Sequence, residues 1–261
     1  MKTSCSSWSH HRTFKAGTID QMQWIQECAD LEFDGVELLG FHFPSTDRDY
    51  LRTLKKACTD RYLTIPIVSA GGHLTTTDDA KREREVASIR EWTEVASFLG
   101  APRIRFFCGK GDELEAGGKA LYDKVLASMR EIAAIGRREG IVMALENHGG
   151  TTADQLLSLH RDVDSEYLKF TLDIGNFPPT SAVGPETYTS IERCAPMAAI
   201  VHFKFFEVNE DGSDRRFDLN RIHGILKKVG FNGFLSVEYE GDDPDEVPIV
   251  RRIARFMKTV R

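Results

Sequence analysis

Four apolar runs in the second half of the chain each end on a side chain able to bind a metal or move a proton. The endings fall at nearly constant intervals. Residues 142–145 lead into Glu146, 170–172 into Asp173, 199–201 into His202 and 233–237 into Glu238, so the endings lie 27, 29 and 36 residues apart. A short apolar run followed at once by polar and glycine residues reads as a buried strand emerging into a functional loop. Each interval is about the length of one strand-helix-strand unit. A chain built this way forms parallel strands joined by crossover helices, and it delivers all four side chains to the same end of a sheet.

The same alternation runs through the whole sequence. Strands are expected over 5–8, 35–39, 63–69 and 103–107, although Pro66 is awkward in the third because proline removes a ladder donor. Thr18, with Gln21 three residues on, marks a helix start. Val86, Ile89, Trp92, Ala96 and Leu99 form one helical stripe closed by Gly100, and a long helix over 121–138 is closed by Gly140. Eight strand candidates, each followed by a helix, favour a closed (β/α)8 TIM barrel. The 261 residues match the ~250 of one such domain, here 1–261. No G-x-G-x-x-G or Walker-type loop follows any strand, which argues against an open nucleotide-binding sheet.

Composition narrows the partners. The net charge is −6, and Lys81, Arg82 and Arg84 alternate with Glu83 and Glu85 as on a solvated helix face, so no nucleic-acid surface is expected. The five cysteines are odd in number and lack metal-type spacing, which suits reduced thiols in a cytoplasmic protein. No stretch approaches the ~18–20 apolar residues of a membrane span, and the first twenty residues lack the apolar core of a signal peptide.

Three carboxylates and one imidazole are the donors a divalent ion takes. Oxygen-rich ligation favours Mn²⁺ or Mg²⁺, with Zn²⁺ and Co²⁺ also suited. Lys204 lies two residues beyond His202 and shares its strand face, which predicts a substrate contact in the barrel mouth. His148 reads either as a substrate contact or as a structural hydrogen-bonding residue. Glu37, His42, His73 and Arg105, at or just after early strands, suit a substrate pocket or rim salt bridges. Trp8, His10 and His11 suit a pocket wall or an exposed first loop. The acids at 240, 242, 243, 245 and 246 would repel a phosphate, although Arg215 and Arg216 could offset them; an unphosphorylated substrate is expected.

The ordered set Glu146-Asn147-His148, Asp173-Ile174-Gly175-Asn176, His202-Phe203-Lys204 and Glu238-Tyr239-Glu240-Gly241 resembles the xylose isomerase-like barrel superfamily. Its members include ketose 3-epimerases, inosose dehydratases, 3-dehydroshikimate dehydratases and an AP-endonuclease branch. The motifs cover residues 146–241; upstream, the resemblance rests on the strand-helix rhythm. It implies that Glu146, Asp173, His202 and Glu238 hold one divalent metal, that Glu146 and Glu238 also handle protons, and that the chain assembles as a dimer or tetramer. Asn176, a candidate substrate contact, stands where many epimerases carry histidine, and Lys204 fits the dehydratase and general isomerase branches better. The implied activity is isomerisation or epimerisation of a keto sugar or related polyol, by proton abstraction next to a carbonyl through a metal-held enediolate. The alternative is a lyase or dehydratase of a keto-inositol, a dehydroshikimate-like acid or a 3-keto-glycoside. A repair nuclease would need three metals and more histidines, whereas the fourth strand ends in Phe107-Cys108 and position 176 is Asn. A non-catalytic sugar-binding barrel would keep the pocket without turnover.

Overall fold

Strands β1 (Lys2–Ser6), β2 (Gly35–Leu39), β3 (Val68–Ser69), β4 (Arg103–Phe106), β5 (Val142–Glu146), β6 (Leu168–Asp173), β7 (Ala198–Phe205) and β8 (Phe234–Tyr239) pair in parallel, each with the next, and β1 closes the ring against β8. The computed structural model describes residues 1–180 and 182–260; the expected domain end at 261 lies outside them. Around the ring run α1 (His11–Lys15), α2 (Gln21–Asp30), α3 (Arg48–Asp60), α4 (Asp79–Leu99), α5 (Gly111–Ala116), α6 (Gly118–Glu139), α7 (Ala153–Val163), α8 (Pro185–Cys194), α9 (Leu219–Lys228) and α10 (Glu246–Val260). This is the TIM barrel expected. No helix among the described residues is long and apolar enough to cross a membrane, and all five cysteines are free and buried.

Period-two alternation decides what faces where. On β7, Val201, Phe203 and Phe205 belong to the large core between sheet and helices, while Ile200 joins Ile67, Ala144 and Phe234 in a small apolar plug inside the ring. Above that plug the interior turns polar. Glu37, Ser69, His202 and Ser236 form one hydrogen-bonded layer, and Glu146, Asp173, Lys204 and Glu238 form the next, at the C-terminal ends of the strands. Barrel interiors are usually filled by branched apolar side chains, and enzymes on this fold place their chemistry at that C-terminal rim.

Of the expected boundaries that move, three do so for a clear local reason. The first strand is Lys2–Ser6, not 5–8, because Ser7–His10 turns into a 3-10 helix capped by the Ser6 hydroxyl. The third strand shrinks to Val68–Ser69: Pro66 has no N–H to give, and upstream of it only the Gly35–Thr64 bridge pairs. Helix α2 is capped by Asp20, which accepts the Gln23 N–H at 2.8 Å while its own N–H reaches Gln23 Oε1 at 2.8 Å; Thr18 instead donates to the Thr13 carbonyl.

Candidate metal centre

The register places Asp173 opposite His202, and Lys204 opposite Glu238, so β6, β7 and β8 bring their polar ends to one level. His202 Nδ1 lies 3.2 Å from Glu238 Oε2, 3.5 Å from Asp173 Oδ2 and 3.7 Å from Glu146 Oε1. One donor atom from each of Glu146, Asp173, His202 and Glu238 falls within 4.8 Å of all the others. Donors on opposite sides of an ion with bonds of about 2.0–2.2 Å are separated by roughly 4 Å, so the spacing suits a single cation.

Two atoms make the fit more specific. His202 Nδ1 and Asp173 Oδ2 are fully buried and have no hydrogen-bond partner. An unsatisfied buried polar atom costs about 1–3 kcal/mol, and a bound cation would satisfy both at once. Lys204 Nζ lies 3.0 Å from Asp173 Oδ2, near enough for an ion pair but without hydrogen-bond alignment. Charge agrees with geometry. Glu37, Glu146, Asp173, Glu238 and Glu240 outnumber Arg105 and Lys204 by three, and a divalent ion beside a neutral imidazole reduces that excess to one.

Each donor is aimed by a neighbour. Glu37 lies beneath His202, 3.0 Å from Nε2, and its carboxylate also accepts from Ser69 and Ser236, each at 2.7 Å. That partnership turns Nδ1 towards the cluster, as an imidazole ligand requires. Asn147 clamps Asp173 at both ends of its amide: Nδ2 donates to the Asp173 carbonyl and Oδ1 accepts the Asp173 N–H, each at 2.7 Å. Asp173 Oδ1 accepts the Gly175 N–H at 2.7 Å, which leaves Oδ2 free to face the centre. Glu146 is held by Arg105 Nη1 at 2.8 Å on Oε2 and by Asn176 Nδ2 at 3.1 Å on Oε1.

These surroundings push the two glutamates apart. Burial raises the Glu146 carboxyl to about 7, only partly opposed by Arg105 and His202. Burial alone would also raise Glu238, but His202 and Lys204 outweigh it and hold Glu238 well below the ordinary carboxylate range. Burial works against the charged forms of His202 and Lys204, yet the surrounding carboxylates raise both well above their ordinary values, those of Glu238 and Glu37 for His202 and of Asp173 and Glu238 for Lys204.

Over the cluster opens a cavity of about 190 Å³, with the buried Arg105, Glu146, Lys204 and Glu238 at its base and Trp8, Phe41, Phe107, His148 and Glu240 around them. His148 stacks on Phe107 at 4.2 Å and is exposed at the rim. At ~30 Å³ per water the space holds about six waters, which suits one small polyol. A larger depression, about 850 Å³, lies between α6 and α7 and contains none of the four donors.

Not every candidate reaches the cavity. Glu37 spends both carboxylate oxygens on His202 and the two serines below it, so it offers no edge to a sugar. His73 pairs with Glu113 at 3.0 Å on the surface beyond the cavity wall, and His10 is buried in the turn after β1. Arg105 is no rim salt bridge: it is a buried partner of Glu146. Sequence reasoning missed Ser69, Ser236, Asn147 and Glu240. Ser236 and Glu240 stand two residues either side of Glu238, and the period-two argument that finds Lys204 would have found them.

The chain is 26% identical over 234 residues to the uncharacterized protein MJ1311 of Methanocaldococcus jannaschii, covering 82% of this chain and 77% of that one. An 82-residue segment is 30% identical to the C-glycoside deglycosidase alpha subunit of Arthrobacter globiformis, covering 29% of this chain and 22% of that subunit. Among solved structures, the IOLI protein with a binding zinc atom superposes with a TM-score of 0.81 at 14% identity, covering 100% of this chain and 98% of that one. The D-allulose 3-epimerase from Methylomonas sp. in complex with D-allulose does so at 0.79 and 15%, covering 100% and 97%. At these identities the structural likeness is one of fold. The xylose isomerase-like TIM barrel profile matches residues 25–260, from within α2 to the end of α10, and the chain belongs to that family.

Proposed function

We propose that the protein is a divalent-metal-dependent isomerase or epimerase of a small keto sugar or related polyol. The observation that carries this is the convergence of four buried donors, two of them left without partners, beneath a cavity that Glu146 and Glu238 line and that is sized for one sugar. Glu146, Asp173, His202 and Glu238 would hold the ion. Bound there, it would supply Lewis-acid polarisation of a substrate carbonyl, which acidifies the adjacent C–H.

The chain's own residues do the rest. Glu146 on β5 and Glu238 on β8 stand three strands apart on the ring, so their carboxylates reach the substrate carbon from different sides. One removes the proton and the other returns it on the opposite face, which is epimerisation. Arg105 and Lys204, both buried at the base of the cavity, donate to substrate oxygens and fix which carbon lies between the two acids. His148 and Phe107 shield that carbon from solvent.

A second reading has its own support. Lys204 Nζ sits 2.6 Å from Glu238 Oε2 and 2.8 Å from Glu240 Oε2, so an ammonium group stands ready to protonate a departing oxygen, as a lyase or dehydratase requires. The segment shared with a C-glycoside deglycosidase subunit points the same way. Incubating the Mn²⁺-loaded protein with ketohexoses and keto-glycosides in D₂O separates the two. Solvent deuterium in a recovered sugar of unchanged formula supports the first; loss of water or of an aglycone supports the second. Neither exchange nor elimination with any of these substrates, with Mn²⁺ bound, would overturn both.

A further inference from the structure

The rings that wall the inner cavity do not end at its mouth. Trp8 and Phe41 also line a groove of about 540 Å³ that leads outward between α1 and the turn after β2. Flat rings make up most of its walls. His11 stacks on Trp8 at 4.4 Å, His42 stacks on Phe14 at 4.2 Å, and Phe41 meets Trp8 and His42 edge-on at 5.8 and 4.4 Å. Among the lining residues the one aliphatic charge is Lys15.

The turn that presents Phe41 is fixed in place. A Cβ at Gly40 would lie 2.6 Å from the Trp92 ring, so only glycine lets the chain pass there. Ser7 Oγ ties the same turn from below, accepting the Leu39 N–H at 3.2 Å and meeting His42 Nδ1 at 2.9 Å. Burial lowers His42 to about 4, with the neighbouring histidines adding to the effect, so its ring is neutral near pH 7. Phe41 nevertheless stays 65% exposed. An exposed phenylalanine alone is unremarkable surface, but one held at the junction of a polar cavity and an aromatic groove is placed to meet a ligand occupying both.

Resting on the reading of the inner cavity as a sugar site, we propose that this groove is a subsite for a flat aromatic substituent, so that the substrate is a keto sugar carrying an aromatic aglycone. The inner cavity, at about 190 Å³, suits one sugar ring. A second sugar in the groove would meet more ring surface than polar atoms: His11 Nδ1 is engaged by the Trp8 carbonyl and Glu246, His42 Nδ1 by Ser7 and Trp8 Nε1 by Glu240, which leaves the two imidazole Nε2 atoms and Lys15. An aromatic ring finds stacked and edge-on contacts on both sides. The shared walls, Trp8 and Phe41, would hold the ring beside a sugar seated over Arg105 and Lys204.

The test compares phenyl and methyl 3-keto-β-D-glucopyranoside, titrated into the Mn²⁺-loaded protein and its Phe41→Ala variant with tryptophan fluorescence as the readout. The phenyl compound should bind about tenfold more tightly than the methyl one, and Phe41→Ala should reduce that preference to about twofold. Phe41 is mostly exposed, so the variant should fold, and its melting curve checks this. Equal affinities in the parent protein would overturn the aromatic subsite while leaving the sugar reading intact. Binding of neither compound would overturn the sugar reading, and this inference with it. If Phe41→Ala instead converts a dimer to a monomer in sedimentation, the groove is an interface between two copies and the proposal fails.

Discussion

At the scale of single residues, the proposed metal would compete with protons for the same atoms. In the metal-free site the surrounding carboxylates raise His202 well above its ordinary value, so Nδ1 holds a proton at neutrality, and burial lifts Glu146 to about 7. Metal uptake must displace whatever protons those atoms carry. At pH 8, binding should therefore release about one proton, from His202; as pH falls through 7 the release should rise towards two, because Glu146 then also holds one. Affinity should weaken with acidification accordingly, about tenfold per pH unit per proton displaced. Titration calorimetry in buffers of different ionisation enthalpy measures the count, and no release at pH 8 would show that the imidazole is already neutral. Glu37 supplies a second prediction. Glu37→Gln puts an amide nitrogen against groups that now donate to a carboxylate, the two serines and His202 Nε2, so the ring loses its orienting partner. Metal affinity should drop by about 10–100-fold, with far-ultraviolet circular dichroism unchanged. An affinity within twofold of the parent would mean that the ring is aimed by packing alone.

Elements decide which of these residues could be read in advance. The four donors were legible because each ends an apolar run, and Lys204 because it shares a face with His202. The partners of Glu37 were not. His202 is 165 residues away and Ser236 is 199 residues away, and what joins them is strand register around a closed ring, which no local pattern encodes. The third strand was readable only as a warning, since Pro66 marked where the ladder would fail. The turn carrying Phe41 gave little signal, because a glycine followed by two aromatic residues describes a loop but not what the loop faces. Gly175, just past β6, shows how tightly an element end is fitted to the centre. A Cβ there would lie 2.8 Å from Lys204 Cγ and 3.0 Å from the Phe206 ring. Gly175→Ala should displace Lys204 from its ion pairs and cost about 1–3 kcal/mol by overpacking. The expected result is a lower midpoint in urea unfolding together with a loss of turnover. A fully active, equally stable variant would mean that β7 can shift without disturbing the site.

The whole molecule is a ring whose first and last units must be fastened together. Glu246, fully buried at the start of α10, accepts the backbone N–H groups of Arg12 and Thr13 and the Thr13 hydroxyl, so it ties the segment after β1 to the final helix. The fastening lies beside Trp8 and the cavity wall, which couples closure of the barrel to the shape of the site. Closure also concentrates negative charge: three carboxylates and an imidazole from four consecutive strands crowd into one small volume beside Arg105 and Lys204. A bound cation therefore acts on global stability as well as on chemistry. At a free metal concentration of about 100 times Kd, linkage gives about 2.7 kcal/mol, and for a chain of this size each kcal/mol moves the melting temperature by about 2–4 °C. Chelation should thus lower the melting temperature by about 5–10 °C, and Asp173→Asn should abolish most of that difference, because it weakens the donor whose second oxygen has no hydrogen-bond partner without the ion. Scanning calorimetry with Mn²⁺ and with a chelator measures both quantities. Identical melting curves for the parent protein at that metal excess would mean that the converging side chains hold no ion, and that Arg105, Lys204 and the proton on His202 balance their carboxylates instead.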